Sequence, residues 1–112
     1  MIDYFKSVAA TMPSMVKLQQ YGQTNEGRPL IVAFVSSESH IANLEMIRQH
    51  NLSNAREASA SNNNYDYPVI VWLSYNVHGN EASSTEASML TLYAMVDPKN
   101  AQTKSYDHPS FS

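Results

Sequence analysis

The chain has 112 residues, 43% hydrophobic and 15% charged, with a formal net charge of −3 and no cysteine. That length bounds it to one domain at most, able to bury a modest core. Mild acidity, with no two Lys or Arg adjacent, argues against a nucleic-acid or anionic-membrane surface, and the lack of cysteine removes disulfides, thiolate catalysis and Cys-based metal centres.

In chain order, Ile2–Met12 reads as a short helix, with Ile2, Phe5, Val8 and Ala9 at helical spacing and Pro13 as its stop. Met15–Tyr21 alternates loosely and reads as a strand. Gly22–Arg28 is turn-like, because Gly and Asn accept the positive φ that turns need. Pro29–Ser36 is a continuous apolar strand, so 15–36 is expected to form an antiparallel hairpin.

Ser39–His50 looks helical, with Ile41, Leu44 and Ile47 (or Met46) on one face. Asn51–Tyr67 is polar and low in complexity, which predicts a surface loop. Pro68–Tyr75 is the strongest strand signal; it is apolar on both faces, as in a central strand covered on both sides, and Trp72 within it reads as core. Ser83–Val96 reads as a helix opened by a Ser83/Glu86 capping box, with Met89, Leu90, Leu92, Tyr93 and Val96 on its apolar face and Asp97-Pro98 as its end. Lys99–Ser112 shows no periodicity and is expected to be irregular. The order helix, hairpin, helix, strand, helix predicts an α/β architecture around a mixed sheet. Three strands are few for such a sheet, which fits the front portion of a larger domain.

No stretch reaches the roughly 18 apolar residues of a membrane span. Met1–Lys6 has an acid at position 3 and no apolar run of signal-peptide length, so the chain is expected to be soluble, its compartment left open.

Chemistry gathers at His78-Gly79-Asn80-Glu81, three residues past the apolar strand and at the mouth of a helix. Open α/β sheets place ligands at the C-terminal ends of their strands. A His and a Glu spaced i, i+3 there can both face one metal ion, with Gly79 easing the turn between them. The spacing alone leaves a second reading open, in which Glu81 simply sits favourably in the first turn of the following helix.

Around this pair the sequence resembles the zinc carboxypeptidase family, the carboxypeptidase A-like metallopeptidases. Tyr21–Leu30, with Thr24-Asn25-Glu26-Gly27-Arg28-Pro29-Leu30, is similar to the family's early hairpin. Pro68–Tyr75 is similar to the strand leading to its metal, and Val77–Ala87 to the H-G-N-E-x-S-x-x-E-A form of its first metal motif. Ser39–Leu44 is also similar to larger bacterial members. The resemblance spans residues 4–100.

It implies the N-terminal part of a mixed-sheet α/β/α zinc carboxypeptidase-like fold over 1–100, with 101–112 as an irregular tail. It also implies His78 and Glu81 as the first two ligands of one zinc ion, a peptide or protein C-terminus as substrate, and a parent family often secreted or periplasmic. The family's second zinc His, its carboxylate-binding arginines, its tyrosine and its catalytic glutamate have no counterpart in this sequence. An incomplete catalytic domain, inactive alone, is therefore the expectation.

Nearby residues offer poor substitutes. His108 lies in the tail and reads as a solvated His. His40 and His50 flank the Ser39–His50 helix and read as surface residues, His50 suiting the C-terminal dipole. Glu86 has a capping role and points away from the metal, and Arg28 reads as a structural or surface residue of the hairpin turn. The competing reading is a non-catalytic binding or self-assembly module on a truncated scaffold, forming a homo-oligomer through an exposed sheet edge.

Overall fold

A computed structural model describes residues 1–56 and 68–100. Helix α1 (Ile2–Thr11) leads into strand β1 (Val16–Gln23), which pairs antiparallel with β2 (Pro29–Val35). Helices α2 (Glu38–Ala42), α3 (Leu44–Arg56) and α4 (Ala82–Val96) follow. Taken together this is an α/β arrangement of helices around a small antiparallel sheet.

The hairpin forms as its sequence predicts. Val16 stands opposite Val35 and Leu18 opposite Ala33, and the register shifts between Gln20 and Gly22, where Tyr21 is the extra residue of a bulge. The turn closes through Thr24 N–H to the Arg28 carbonyl at 2.8 Å and Gly27 N–H to the Thr24 carbonyl at 2.9 Å. Gly27 takes φ +77°, a conformation that costs a residue with a Cβ.

The core lies where α4 crosses β1: Val16, Leu92 and Val96 are buried together, with Tyr4, Phe5, Val8 and Ala9 of α1 packed half-buried against them. Ser88, Leu92 and Val96 recur every four residues and define the inward stripe of α4. The expected apolar face of α4 is thereby corrected: Leu90 is 68% exposed and Tyr93 also faces out, because the stripe passes through Ser88 instead. Ile47 is the buried contact of α3, with Ile41 and Leu44 half-buried and Met46 exposed.

Four further expectations are corrected. The single helix Ser39–His50 is two helices, broken at Asn43, whose side chain donates to the Ser39 carbonyl at 2.8 Å. Residues 51–56 belong to α3 and not to a loop: Asn51 donates to the Ile47 carbonyl at 2.9 Å, and Glu45 holds Arg48 and Gln49. His50 consequently lies inside α3, half-buried and bonded to Asn54, instead of at a helix end. The remaining part of that expected loop, 57–67, lies outside the described residues, as does the tail from 101 onward.

The fourth correction is the largest. Residues 68–76 carry no strand, and the sheet among the described residues has two strands, not three. Trp72 is 70% exposed and not core. A strand exists through its ladder, and no backbone hydrogen bond joins 68–76 to any other described residue. The segment does approach the rest of the molecule. Val71–Asn76 border a groove whose other walls are Ile31 and Ala33 of β2 and Ser88, Leu92 and Met95 of α4. No helix of the described residues is long and apolar enough to cross a membrane.

Candidate metal centre

The unbent stretch 68–76 ends at Asn76, whose φ of +57° makes it the one non-glycine residue in the left-handed region among the described residues. Asn tolerates that conformation better than other side chains because its short amide bonds locally. Tyr75 ties the stretch to α4, its hydroxyl donating to Thr91 Oγ1 at 2.8 Å, and Thr91 in turn donates to the Ala87 carbonyl. Neither role is visible from apolar periodicity. An Asn placed before a His-Gly turn is the one sequence signal that points to the first.

Residues 78–81 then fold into a turn. The N–H groups of Asn80 and Glu81 both donate to the His78 carbonyl, the second at 3.1 Å. This turn brings the two side chains together: His78 Nδ1 lies 2.9 Å from Glu81 Oε1. Both remain open to solvent, His78 more than Glu81. Gly79 is not needed for its lack of a side chain, since a Cβ there would meet nothing within 4 Å and its φ lies outside the left-handed region.

Glu81 is also the residue that caps α4 at its N-terminus, but its carboxylate makes no capping bond. It faces His78, with the Ser84 hydroxyl at a long 3.5 Å from Oε2. The expected Ser83/Glu86 capping box is thereby corrected. The helix starts at Ala82, which puts Ser83 inside its first turn, and no side chain bonds the free backbone N–H groups there. Glu86 is exposed and has no capping duty.

Of the other candidates, Arg28 is an exposed residue of the hairpin turn, paired with Glu26 at 2.9 Å. His40 is half-buried, its Nδ1 2.9 Å from the Ser36 hydroxyl, so it is more enclosed than a plain surface residue. His108 lies outside the described residues. Among the described residues no three His, Asp or Glu side chains converge as a metal cage would require. Neither His78 nor Glu81 borders the groove beside β2.

The donor set of the pair nevertheless suits zinc. Two donors, each about 2.1 Å from a tetrahedral ion, stand about 3.4 Å apart. His78 Nδ1 and Glu81 Oε1 are within about half an ångström of that separation. Their exposed side chains have the freedom to open by that amount.

A family model described as zinc carboxypeptidase matches residues 1–108 of the chain. The chain belongs to the zinc carboxypeptidase family. That match extends past Asn100, where the likeness read from the motifs ends, and it spans both the hairpin and the His78–Glu81 turn. No curated protein and no solved structure matches the chain. As a zinc carboxypeptidase relative the chain falls among the hydrolases and metallopeptidases, and its fold is an α/β piece of the carboxypeptidase-like architecture. Membership implies zinc in the complete domain and peptides as substrates.

Proposed function

We propose that His78 and Glu81 are two ligands of a catalytic zinc ion, in a site that hydrolyses peptide bonds at or near a C-terminus. The supporting observation is the approach of Nδ1 and Oε1 to 2.9 Å in a turn of a zinc carboxypeptidase relative. When bound, zinc polarises the scissile carbonyl and lowers the pKa of a bound water.

The chain's own residues do the positioning. His78 presents an imidazole nitrogen from the turn, and the Glu81 N–H bonded to the His78 carbonyl fixes the spacing between the two side chains. The Ser84 hydroxyl stands 3.5 Å from the second carboxylate oxygen, too far to hold it firmly. Two donors hold an ion weakly, since catalytic zinc takes three protein ligands. A third ligand, a general base and the groups that grip the substrate carboxylate are assigned to residues outside those described. The described residues alone then carry negligible peptidase activity.

The test is a zinc titration of the wild-type chain, His78→Ala and Glu81→Gln, followed through the imidazole resonances of the four histidines. In the wild type the His78 signals shift first and saturate, and Glu81→Gln weakens that shift. Zinc that perturbs His40, His50 or His108 and leaves His78 unmoved overturns the assignment.

A further inference from the structure

Tyr75 stands three residues before His78, on a stretch that no backbone hydrogen bond joins to any other described residue. At 37% it is the least exposed of the large apolar side chains between 69 and 77, its ring turned toward α4, where the hydroxyl meets Thr91. That bond has a fixed direction. Thr91 uses its one hydroxyl proton on the Ala87 carbonyl at 2.8 Å, so toward Tyr75 its oxygen only accepts, and the phenol donates to it at 2.8 Å.

The contact joins residues sixteen apart in sequence, and both candidate ligands lie inside the loop that it closes. Because α4 is continuous from Ala82, the only non-helical backbone between Tyr75 and Thr91 is 76–81. Within it, 78–81 is already a hydrogen-bonded turn and Asn76 is held in the left-handed region. Tying Tyr75 to the helix therefore leaves little freedom in where the turn presents His78.

We propose that Tyr75 is a positioning residue for the candidate metal centre, a role that rests on the reading of His78 and Glu81 as zinc ligands. Its hydroxyl bond to Thr91 pins the chain entering the turn against α4, which carries Glu81 at its N-terminus, and so keeps His78 within reach of the carboxylate. The effect passes through the backbone of Asn76 and Val77. Two donors already held together lose less freedom on taking up an ion than two that the ion must order, so the bond raises zinc affinity. A phenylalanine would suit the apolar run equally well; only the hydroxyl reaches Thr91.

The experiment uses the whole 112-residue chain, first without zinc. Nuclear Overhauser contacts between the His78 ring and the Glu81 side chain report their approach, and those between the Tyr75 ring and the Thr91 methyl report the bond. Tyr75→Phe keeps the ring and removes the donor; Thr91→Val removes the acceptor at nearly the same size. Each should weaken the His78–Glu81 contacts while helical circular dichroism stays unchanged. The double variant should do no more than either alone, and Thr91→Ser should behave as wild type. With zinc added and the His78 resonances followed, Tyr75→Phe and Thr91→Val should each bind roughly threefold to tenfold more weakly, the worth of one neutral hydrogen bond. A wild-type His78 that ignores zinc, with contacts to Glu81 that still need the Tyr75 hydroxyl, refutes the zinc reading and upholds the positioning. His78–Glu81 contacts and zinc affinity that are both indifferent to Tyr75→Phe overturn the positioning. So does a loss that Thr91→Ser shares with Thr91→Val.

Discussion

Leu92→Ala set beside Leu90→Ala tests the packing that positions the candidate metal centre. The two leucines are two residues apart on α4, yet Leu92 is 3% exposed against Val16 and Val96, and Leu90 faces solvent. Truncating Leu92 removes three buried carbons, a transfer loss of about 2.4 kcal/mol at ~0.8 kcal/mol per buried methylene. A cavity contribution adds to this. It should be modest, because the surrounding Phe5, Val8 and Leu18 are only half-buried and can close on the space. The total expected is about 3 kcal/mol, in the lower part of the range for core Leu→Ala changes. Leu90→Ala should stay within about 0.5 kcal/mol, as an exposed position where alanine suits the helix. Urea unfolding followed by circular dichroism at 222 nm gives both values, provided slope and midpoint are fitted together. Equal losses in the two variants, or a loss under about 1 kcal/mol for Leu92→Ala, would refute the docking of α4 on β1 through its 88-92-96 stripe.

The Glu45 carboxylate, bonded to Arg48 at 2.6 and 2.8 Å and to Gln49 at 3.0 Å, is held down to about 2 from an ordinary 4.5. The hydrogen bond from Arg48 is the largest cause, ahead of that from Gln49. Because the folded pKa lies below the unfolded one, the stabilisation of α3 is complete above about 4.5 and is lost as pH falls toward 2. A carboxyl-carbon NMR titration should place the Glu45 midpoint in the low range and Arg48→Gln should raise it; an ordinary midpoint in the wild type contradicts the contact. At Asn76, φ +57° predicts that Asn76→Val costs about 1–2 kcal/mol, whereas Asn76→Gly is neutral or slightly stabilising in the same unfolding assay. Equal effects of the two substitutions would show that the left-handed conformation is not what this position requires.

The hairpin and the bodies of α1 and α4 were legible because local rules decide them: Gly27 at a positive φ, apolar runs with turn residues between, and helical spacing closed by Pro13 or Pro98. The family was legible from three separate local stretches, and the approach of His78 to Glu81 from one of them, the turn at 78–81. The failures all involve what a residue touches. Val69–Leu73 has the composition of a central strand, but centrality requires neighbouring strands that the described residues do not supply. Asn51–Arg56 looked like a loop from its polarity, yet side-chain bonds to the preceding helical turn extend α3 through it. Ser83 and Glu86 have capping-box spacing, but the helix begins one residue earlier and the carboxylate at its cap turns to His78 instead.

The position of Glu81 at the start of α4 has a mechanical consequence. It stands eleven residues from Leu92, about 16 Å along the helix axis at 1.5 Å per residue. The deepest anchors of α4, Leu92 and Val96, are at the far end, and nearer to Glu81 only Ser88 is buried. The helix is therefore a lever with its fulcrum in the core and the carboxylate at its tip. A tilt of about 10° displaces that tip by roughly 3 Å, more than the separation between a zinc ion and a ligand oxygen. The gap between His78 and Glu81 is thus set by how the first turns of α4 are braced, as well as by the turn that joins them.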